Sequence, residues 1–287
     1  MKNTKQRQYI TKNSNQLAIK TLVLLLFIIT IHIETQAQSL TPYRGKVEDA
    51  YNFWFYRPAD DSTSKPIVIF LHGASLCGNN LDKVRNYGTI DAVEKGREID
   101  AYILAPQNPG GSWSPEKIMR LLCWAESNNN IDTTRVYVLG MSLGGFGTMD
   151  FAATYPHIVA AAMAFCGGCT VKDFSALTNV PLWIVHGTAD TRVSVRESDR
   201  VVNTLKESDG GAPRLHYDRI QGMNHSKPAR IFYMRECYQW LFSHSLSDEG
   251  RPVTPKYEIS DRTLQSRRVY EGTTRHKSVE LIRDPQE

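Results

Sequence analysis

A serine flanked by glycines is the part of the sequence that most directly suggests chemistry. Ser142 lies in Gly140-Met-Ser-Leu-Gly144, a G-x-S-x-G pattern with a predicted strand before it and a predicted helix after it. Glycines two positions to either side allow a tight strand-to-helix turn in which larger side chains would collide with the adjoining elements. Such a turn presents the hydroxyl at a helix N-terminus, whose dipole favours developing negative charge. We therefore predict that Ser142 is a nucleophile.

A base and an acid must accompany this serine, because a hydroxyl group is a weak nucleophile at neutral pH. Asp190 follows a predicted strand, and His225 lies in a loop after the last predicted strand of the alternating pattern. Both positions are beyond strand ends, where sites form in open α/β sheets. The chain order serine, acid, histidine also accompanies this kind of turn. We predict Asp190 as the acid and His225 as the base.

The other histidines and acids are less well placed for catalysis. His216 lies within a predicted strand, His157 follows a proline at a helix end, and His186 belongs to a strand end, where it is expected to shape the loop of the acid. Asp199 falls inside a predicted helix and Asp218 inside the late strand. None of them competes well with the predicted pair.

An acyl-transfer site also needs two N–H donors for the developing oxyanion. One donor is expected from Leu143, the residue after the nucleophile. The other is expected from Phe70-Leu-His-Gly-Ala-Ser75, which ends a buried strand and whose Gly73 allows close approach of the backbone. We predict the N–H of Ala74 as this second donor, with Ser75 as the next choice.

The cysteine pattern does not predict a metal or redox centre. The chain holds five cysteines, Cys77, Cys123, Cys166, Cys169 and Cys237, and an odd count leaves at least one thiol outside any intrachain pair. The spacing Cys166-Gly-Gly-Cys169 resembles half of a metal or redox motif, but no second pair and no histidine cluster at metal spacing accompany it. A structural disulfide or buried thiols are expected, with no metal and no cofactor.

Strands and helices alternate along the chain, which predicts a mostly parallel sheet with helices on both faces. Predicted strands fall at 51–56, 66–71, 101–105, 135–139, 159–165, 181–185 and 215–220, and predicted helices at 115–128, 143–154, 195–206 and 229–243. After residue 247 the pattern fails. We predict a catalytic domain over 38–247 and a polar C-terminal tail over 248–287, marginal to catalysis, either loosely ordered or packed as an arm on a neighbour.

The N-terminus has the pattern of a cleavable secretory signal over residues 1–37. Several basic residues precede an apolar run at 21–31, which is shorter than the roughly 20 residues that a membrane span needs, and small residues follow at Thr35 and Ala37. An uncleaved anchor is the alternative. The prediction is a periplasmic or secreted protein without stable membrane insertion after cleavage.

The net charge gives no indication of a nucleic-acid partner. Residues 1–37 hold five basic residues and one acidic residue, a difference equal to the +4 of the whole chain. The remainder is therefore near neutral, and no nucleic-acid partner is expected.

The motifs together resemble the single-domain esterases of the α/β-hydrolase superfamily. The resemblance is to feruloyl-esterase, polyhydroxybutyrate-depolymerase-like and dienelactone-hydrolase-like carboxylesterases, near the prolyl oligopeptidase family. It rests on Leu71-His-Gly73, Ala105-Pro-Gln107 with Trp113, the turn around Ser142, Val185-His-Gly-Thr-Ala-Asp190 and Asn224-His225, and it covers about 66–242. The resemblance implies the α/β-hydrolase fold and an acyl-enzyme mechanism on a small-molecule or oligosaccharide ester, such as acyl or feruloyl esters of polysaccharides. It also implies substrate contacts from Trp113 and Gln107.

Two departures narrow this resemblance. Dienelactone hydrolases use a cysteine nucleophile, whereas this turn carries Ser142. Prolyl oligopeptidases carry a large propeller domain, and only a short stretch separates the predicted signal from the first predicted strand. A serine peptidase and a non-catalytic binding protein on the same fold are the alternatives to an esterase.

Overall fold

Nine strands form one mixed sheet in the part of the chain that the structure describes. The structure is a computed structural model, and it describes residues 38–249, 259–273 and 279–283. The predicted signal peptide, residues 1–37, lies outside these ranges. Within them, no helix combines the length and the apolar character needed to cross a membrane.

The sheet has the spatial order β8-β7-β6-β5-β3-β4-β2-β1-β9. The strands are β1 Ser39–Tyr43, β2 Asn52–Arg57, β3 Lys65–Leu71, β4 Tyr102–Gln107, β5 Ile131–Met141, β6 Val159–Phe165, β7 Leu182–Gly187, β8 Leu215–Ile220 and β9 Glu280–Leu281. Strands β3 to β8 run parallel, β2 is antiparallel to β1 and β4, and β9 is parallel to β1. The predicted, mostly parallel sheet is confirmed.

Helices cover both faces of this sheet, as the alternating pattern predicts. They are α1 Thr89–Glu94, α2 Pro115–Asn128, α3 Leu143–Thr154, α4 Arg196–Glu207, α5 Arg235–Phe242 and α6 Asp261–Gln265. Alternate residues of β3 point to opposite faces: Val68 and Phe70 pack with α1 and α5, and Ile67 and Ile69 with α2, α3 and α4. The central strands are buried on both faces, which explains their continuous apolar runs.

The strand order places a topological switch point beside β3. Strand β3 pairs with β4 on one side and with β5 on the other. The chain crosses from β3 to β4, and from β5 to β6 in the opposite direction, so the two connections diverge at the neighbouring carboxyl ends of β3 and β5. In this register Leu71, the last residue of β3, lies opposite Gly140 of β5. The segment after Leu71 therefore emerges next to Ser142.

The structure differs from the predicted elements in one helix. The predicted helix over 229–243 is instead a 3₁₀ segment, Lys227–Tyr233, followed by α5, with Met234 between them in an extended conformation. Two nitrogens of the Arg97 guanidinium, Nε at 2.9 Å and Nη2 at 2.6 Å, donate to the carbonyl oxygen of Tyr233. This carbonyl is satisfied from outside the helix, so the helix can break at Met234 without leaving a buried acceptor unpaired.

The C-terminal segment packs on the domain wherever the structure describes it. Ile259, Leu264 and Val269 are buried in the core. Lys227 Nζ lies 2.5 Å from Asp261 Oδ1, and Arg230 Nη1 donates to the carbonyl oxygen of Leu264 at 2.8 Å. Residues 259–273 therefore pack on their own domain, and they contact the 3₁₀ segment that follows His225.

Candidate active site

Ser142 occupies a sharp turn between β5 and α3. Its φ of 59° lies in the left-handed region, which costs a non-glycine residue of order 1–3 kcal/mol. Its backbone N–H donates to the carbonyl oxygen of Phe165 at 2.8 Å. A Cβ on Gly144 would lie 1.8 Å from the carbonyl oxygen of Leu71, and one on Gly140 would lie 2.4 Å from that of Gly144. The glycines of the motif are thus sterically required.

A continuous chain of hydrogen bonds joins the three residues predicted from chain order. His225 Nδ1 lies 2.6 Å from Asp190 Oδ2, and His225 Nε2 lies 3.0 Å from Ser142 Oγ. Because a carboxylate only accepts, Nδ1 carries the proton and Nε2 accepts from the serine hydroxyl. Asp190 is supplied by the loop after β7 and His225 by the loop after β8, at the same sheet edge as Ser142. The serine therefore faces a proton acceptor that a carboxylate orients.

The carboxylate of Asp190 is held in its ionised form. Burial alone would raise its pKa, but hydrogen bonds from Val193 N–H, His225 and Arg192 N–H outweigh this and hold the pKa below its usual value. Oδ1 accepts from the backbone of Arg192 at 2.8 Å and Val193 at 2.9 Å. Oδ2 is thereby directed toward His225.

The segment after β3 reaches the nucleophile. A Cβ added to Gly73 would lie 3.4 Å from Ser142 Cβ, so the backbone at Gly73 lies against the serine. The N–H of Gly73 is already used, since it donates to the hydroxyl of Tyr87 at 2.9 Å. Ala74 begins a short 3₁₀ turn and Leu143 begins α3, positions at which a backbone N–H has no partner inside its own helix. Ala74 and Leu143 thus remain the predicted oxyanion donors.

His72 joins this segment to the loop after β4. Its Nδ1 lies 2.8 Å from the carbonyl oxygen of Gly73, and its Nε2 accepts from the backbone N–H of Asn108 at 3.0 Å. Burial lowers the pKa of His72 to about 4, although the bond to Gly73 opposes this, so the ring is neutral at neutral pH. The neutral ring of His72 thus links the backbone of Gly73, next to the predicted oxyanion donor Ala74, to the backbone of Asn108.

Trp113 and Gln107, the predicted substrate contacts, are each only 3% exposed. The indole N–H of Trp113 donates to the carbonyl oxygen of His72 at 3.3 Å, and a Cβ on Gly147 would lie 2.6 Å from the ring. The amide of Gln107 donates to the carbonyl oxygen of Leu76 at 2.6 Å. Both side chains therefore donate hydrogen bonds to the backbone of residues 72–76, the segment that carries Ala74.

His216, Asp218 and Asp199 have partners other than Ser142, Asp190 and His225. His216 Nε2 lies 3.0 Å from Asp218 Oδ1, and Asp199 binds Arg219. His157 is exposed at the surface. Sequence reasoning missed Tyr87, whose hydroxyl accepts from Gly73, because an isolated tyrosine before a glycine carries no recognisable signal.

The five cysteines are all free thiols in the structure, and Cys166, Cys169 and Cys237 are buried. The outcome is therefore buried thiols rather than a disulfide. Among the described residues, the ligand atoms of Cys166, His186 and Asp190 lie within 4.8 Å of one another. Burial, followed by the charge of Asp190, raises the pKa of the Cys166 thiol well above its usual value, which opposes the thiolate that metal binding needs.

A family model and relatives of known activity match the region that contains this site. The model described as Phospholipase/Carboxylesterase matches residues 116–241. The probable acetylxylan esterase A of Neosartorya fischeri is 34% identical over 203 residues, covering 65% of this chain and 54% of that protein. The poly(3-hydroxyalkanoate) depolymerase C of Paucimonas lemoignei is 28% identical over 142 residues, covering 42% of this chain and 33% of that protein.

A solved thermostable esterase has the same fold. Its crystal structure superposes with a TM-score of 0.58 at 24% identity and covers 74% of this chain and 64% of that chain. The chain thus spans less than two thirds of each of these three proteins. The likeness, together with the strand order and the serine turn, establishes an α/β-hydrolase fold that resembles esterases.

Proposed function

We propose that this α/β hydrolase cleaves carboxylic esters through an acyl-enzyme formed on Ser142. The observation that carries the proposal is the chain of hydrogen bonds from Asp190 through His225 to Ser142, at 2.6 Å and 3.0 Å. His225 is 21% exposed in its side chain, whereas the carboxylate of Asp190 is fully buried. The base therefore reaches solvent and substrate, and the acid acts only through it.

The geometry supports the following reaction. Ser142 Oγ attacks the ester carbonyl carbon while its proton passes to His225 Nε2, and Asp190 stabilises the imidazolium that forms. The N–H groups of Leu143 and Ala74 bind the oxyanion. His225 then gives the proton to the leaving alkoxide, which departs as the alcohol. Water then attacks the acyl-enzyme carbonyl while His225 takes its proton, and His225 returns that proton to Ser142 Oγ as the C–O bond to the serine breaks and the carboxylic acid is released.

Acetyl esters on a polysaccharide such as xylan are the substrate class that we favour. The name of the probable acetylxylan esterase A supports this choice, and the name of the poly(3-hydroxyalkanoate) depolymerase supports a polymeric substrate. The predicted export signal over 1–37 is consistent with a polymeric substrate outside the cytoplasm.

A substrate panel tests the proposal. We expect kcat/KM for acetylated xylo-oligosaccharides and aryl acetates to exceed that for feruloyl esters, and peptide anilides to be hydrolysed most slowly. Ser142→Ala should lower every ester rate by at least about a thousandfold. Anilide hydrolysis that equals ester hydrolysis would instead indicate a serine peptidase. The absence of any turnover, with an intact fold, would indicate a binding protein.

A further inference from the structure

A second histidine lies against the carboxylate that orients the base. His186, near the end of β7, is fully buried, and its Nε2 lies 3.3 Å from Asp190 Oδ2. This is the same oxygen that His225 Nδ1 approaches at 2.6 Å. The mechanism above gives His186 no role.

The neighbours of Nε2 determine which nitrogen of His186 carries the proton. Besides Asp190 Oδ2, the carbonyl oxygen of Val193 lies 3.1 Å from Nε2. Both atoms only accept, and burial lowers the pKa of His186, so the ring is neutral at neutral pH with a single N–H. A lone pair at Nε2 would face two oxygens, whereas Nδ1 faces a hydroxyl that can donate or accept, and this difference favours the N–H at Nε2.

The opposite side of the ring accommodates this tautomer. His186 Nδ1 lies 2.8 Å from the hydroxyl of Ser198, a buried residue of α4. The Ser198 hydroxyl is also 2.7 Å from the carbonyl oxygen of Gly167. The single proton of the Ser198 hydroxyl is thus shared between the carbonyl oxygen of Gly167 and Nδ1 of His186, and these contacts with α4 fix the plane of the imidazole.

We propose that His186 is a positioning residue: its Nε2–H, which is hydrogen-bonded to the carbonyl oxygen of Val193, also faces Oδ2 of Asp190 at 3.3 Å, and this shared N–H holds the carboxylate in the orientation that His225 requires. The proposal rests on the proposed function. Oδ1 is already held by two backbone N–H groups, at Arg192 and Val193. His186 supplies the corresponding constraint on Oδ2, which would otherwise depend on His225 alone.

Two substitutions separate donation from simple space filling. His186→Gln keeps an amide N–H near the position of Nε2, whereas His186→Leu fills the space without a donor. We expect His186→Leu to lower kcat for an aryl acetate about tenfold with little change in KM, the loss that one hydrogen bond of ordinary strength gives. His186→Gln should stay within about threefold of the wild type. His216→Leu, which removes another histidine paired with an aspartate, is the matched control and should leave kcat unchanged.

Proton and ¹⁵N NMR spectra measure two signals that would not change if His186 only filled space. The downfield signal of the His225 Nδ1 proton should persist in wild type and His186→Gln and weaken in His186→Leu. The wild-type ¹⁵N shifts should show the Nε2–H tautomer of His186. A folded His186→Leu enzyme with wild-type kcat and signal would overturn the proposal, as would an Nδ1–H tautomer or a His186→Gln variant as impaired as His186→Leu. The tautomer is read without turnover, so an inactive wild-type protein would contradict the esterase proposal and not this one.

Discussion

At the residue scale, the site depends on groups whose protonation is fixed by burial and by their hydrogen-bond partners. Asp190 stays ionised because backbone and histidine donors outweigh its burial. His72 stays neutral because burial lowers its pKa to about 4. Chain order and strand ends predicted Ser142, Asp190 and His225, and the structure brings the side chains of Ser142 and Asp190 within hydrogen-bond distance of His225. These sequence features could not predict the burial of Trp113, because exposure depends on what packs around a side chain.

The lowered pKa of the buried His72 predicts that the free energy of unfolding depends on pH. Its folded-state pKa of about 4 lies below the unfolded value of 6.5, so the unfolded state binds more protons between these values. The stabilisation is fully present above pH 6.5 and is lost as the pH falls toward 4, by at most about 3 kcal/mol. The free energy of unfolding, measured with urea, should be lower at pH 5 than at pH 7.5 in the wild type, and this difference should be smaller in His72→Gln. An equal fall in both proteins would contradict the assignment.

At the element scale, loops at the carboxyl ends of β3, β5, β7 and β8 bring the site together. The alternating pattern predicted most of these strands, and the structure confirms the parallel sheet. The break at Met234 could not be predicted locally, since the carbonyl group of Tyr233 before it is hydrogen-bonded by Arg97, more than a hundred residues earlier in the chain. The packing of residues 259–273 was missed for a similar reason, because its few apolar side chains give no periodic signal.

The packing of α6 on the 3₁₀ segment after His225 predicts that a substitution in α6 lowers the stability of the protein. Leu264 is fully buried, and its truncation in Leu264→Ala should lower the free energy of unfolding by about 2–4 kcal/mol. Leu281→Ala is the control, because Leu281 is 46% exposed and its loss should change stability by less than about 0.5 kcal/mol. Urea denaturation monitored by circular dichroism measures both. Similar stabilities of the two variants would show that α6 does not pack as described.

At the scale of the whole molecule, one rigid sheet supports an active site assembled from residues far apart in sequence. Leu71, the last residue of β3, lies opposite Gly140, and this register places the segment that follows Leu71 beside Ser142. The C-terminal segment adds a layer behind the loop of His225, so the predicted boundary at residue 247 divides a packed unit where residues 259–273 are concerned. Substrate choice is not encoded at this scale, because many chemistries share one fold.

Labelling by a fluorophosphonate, which forms a covalent bond only with an activated serine, tests the central claim most directly. We predict that the wild-type protein is labelled on a single tryptic peptide containing Ser142, as read by mass spectrometry. Ser142→Ala should abolish labelling, His225→Ala should slow it by at least about a hundredfold, and His216→Ala should leave it unchanged. Labelling that persists in Ser142→Ala, or that is as fast in His225→Ala as in the wild type, would contradict the account.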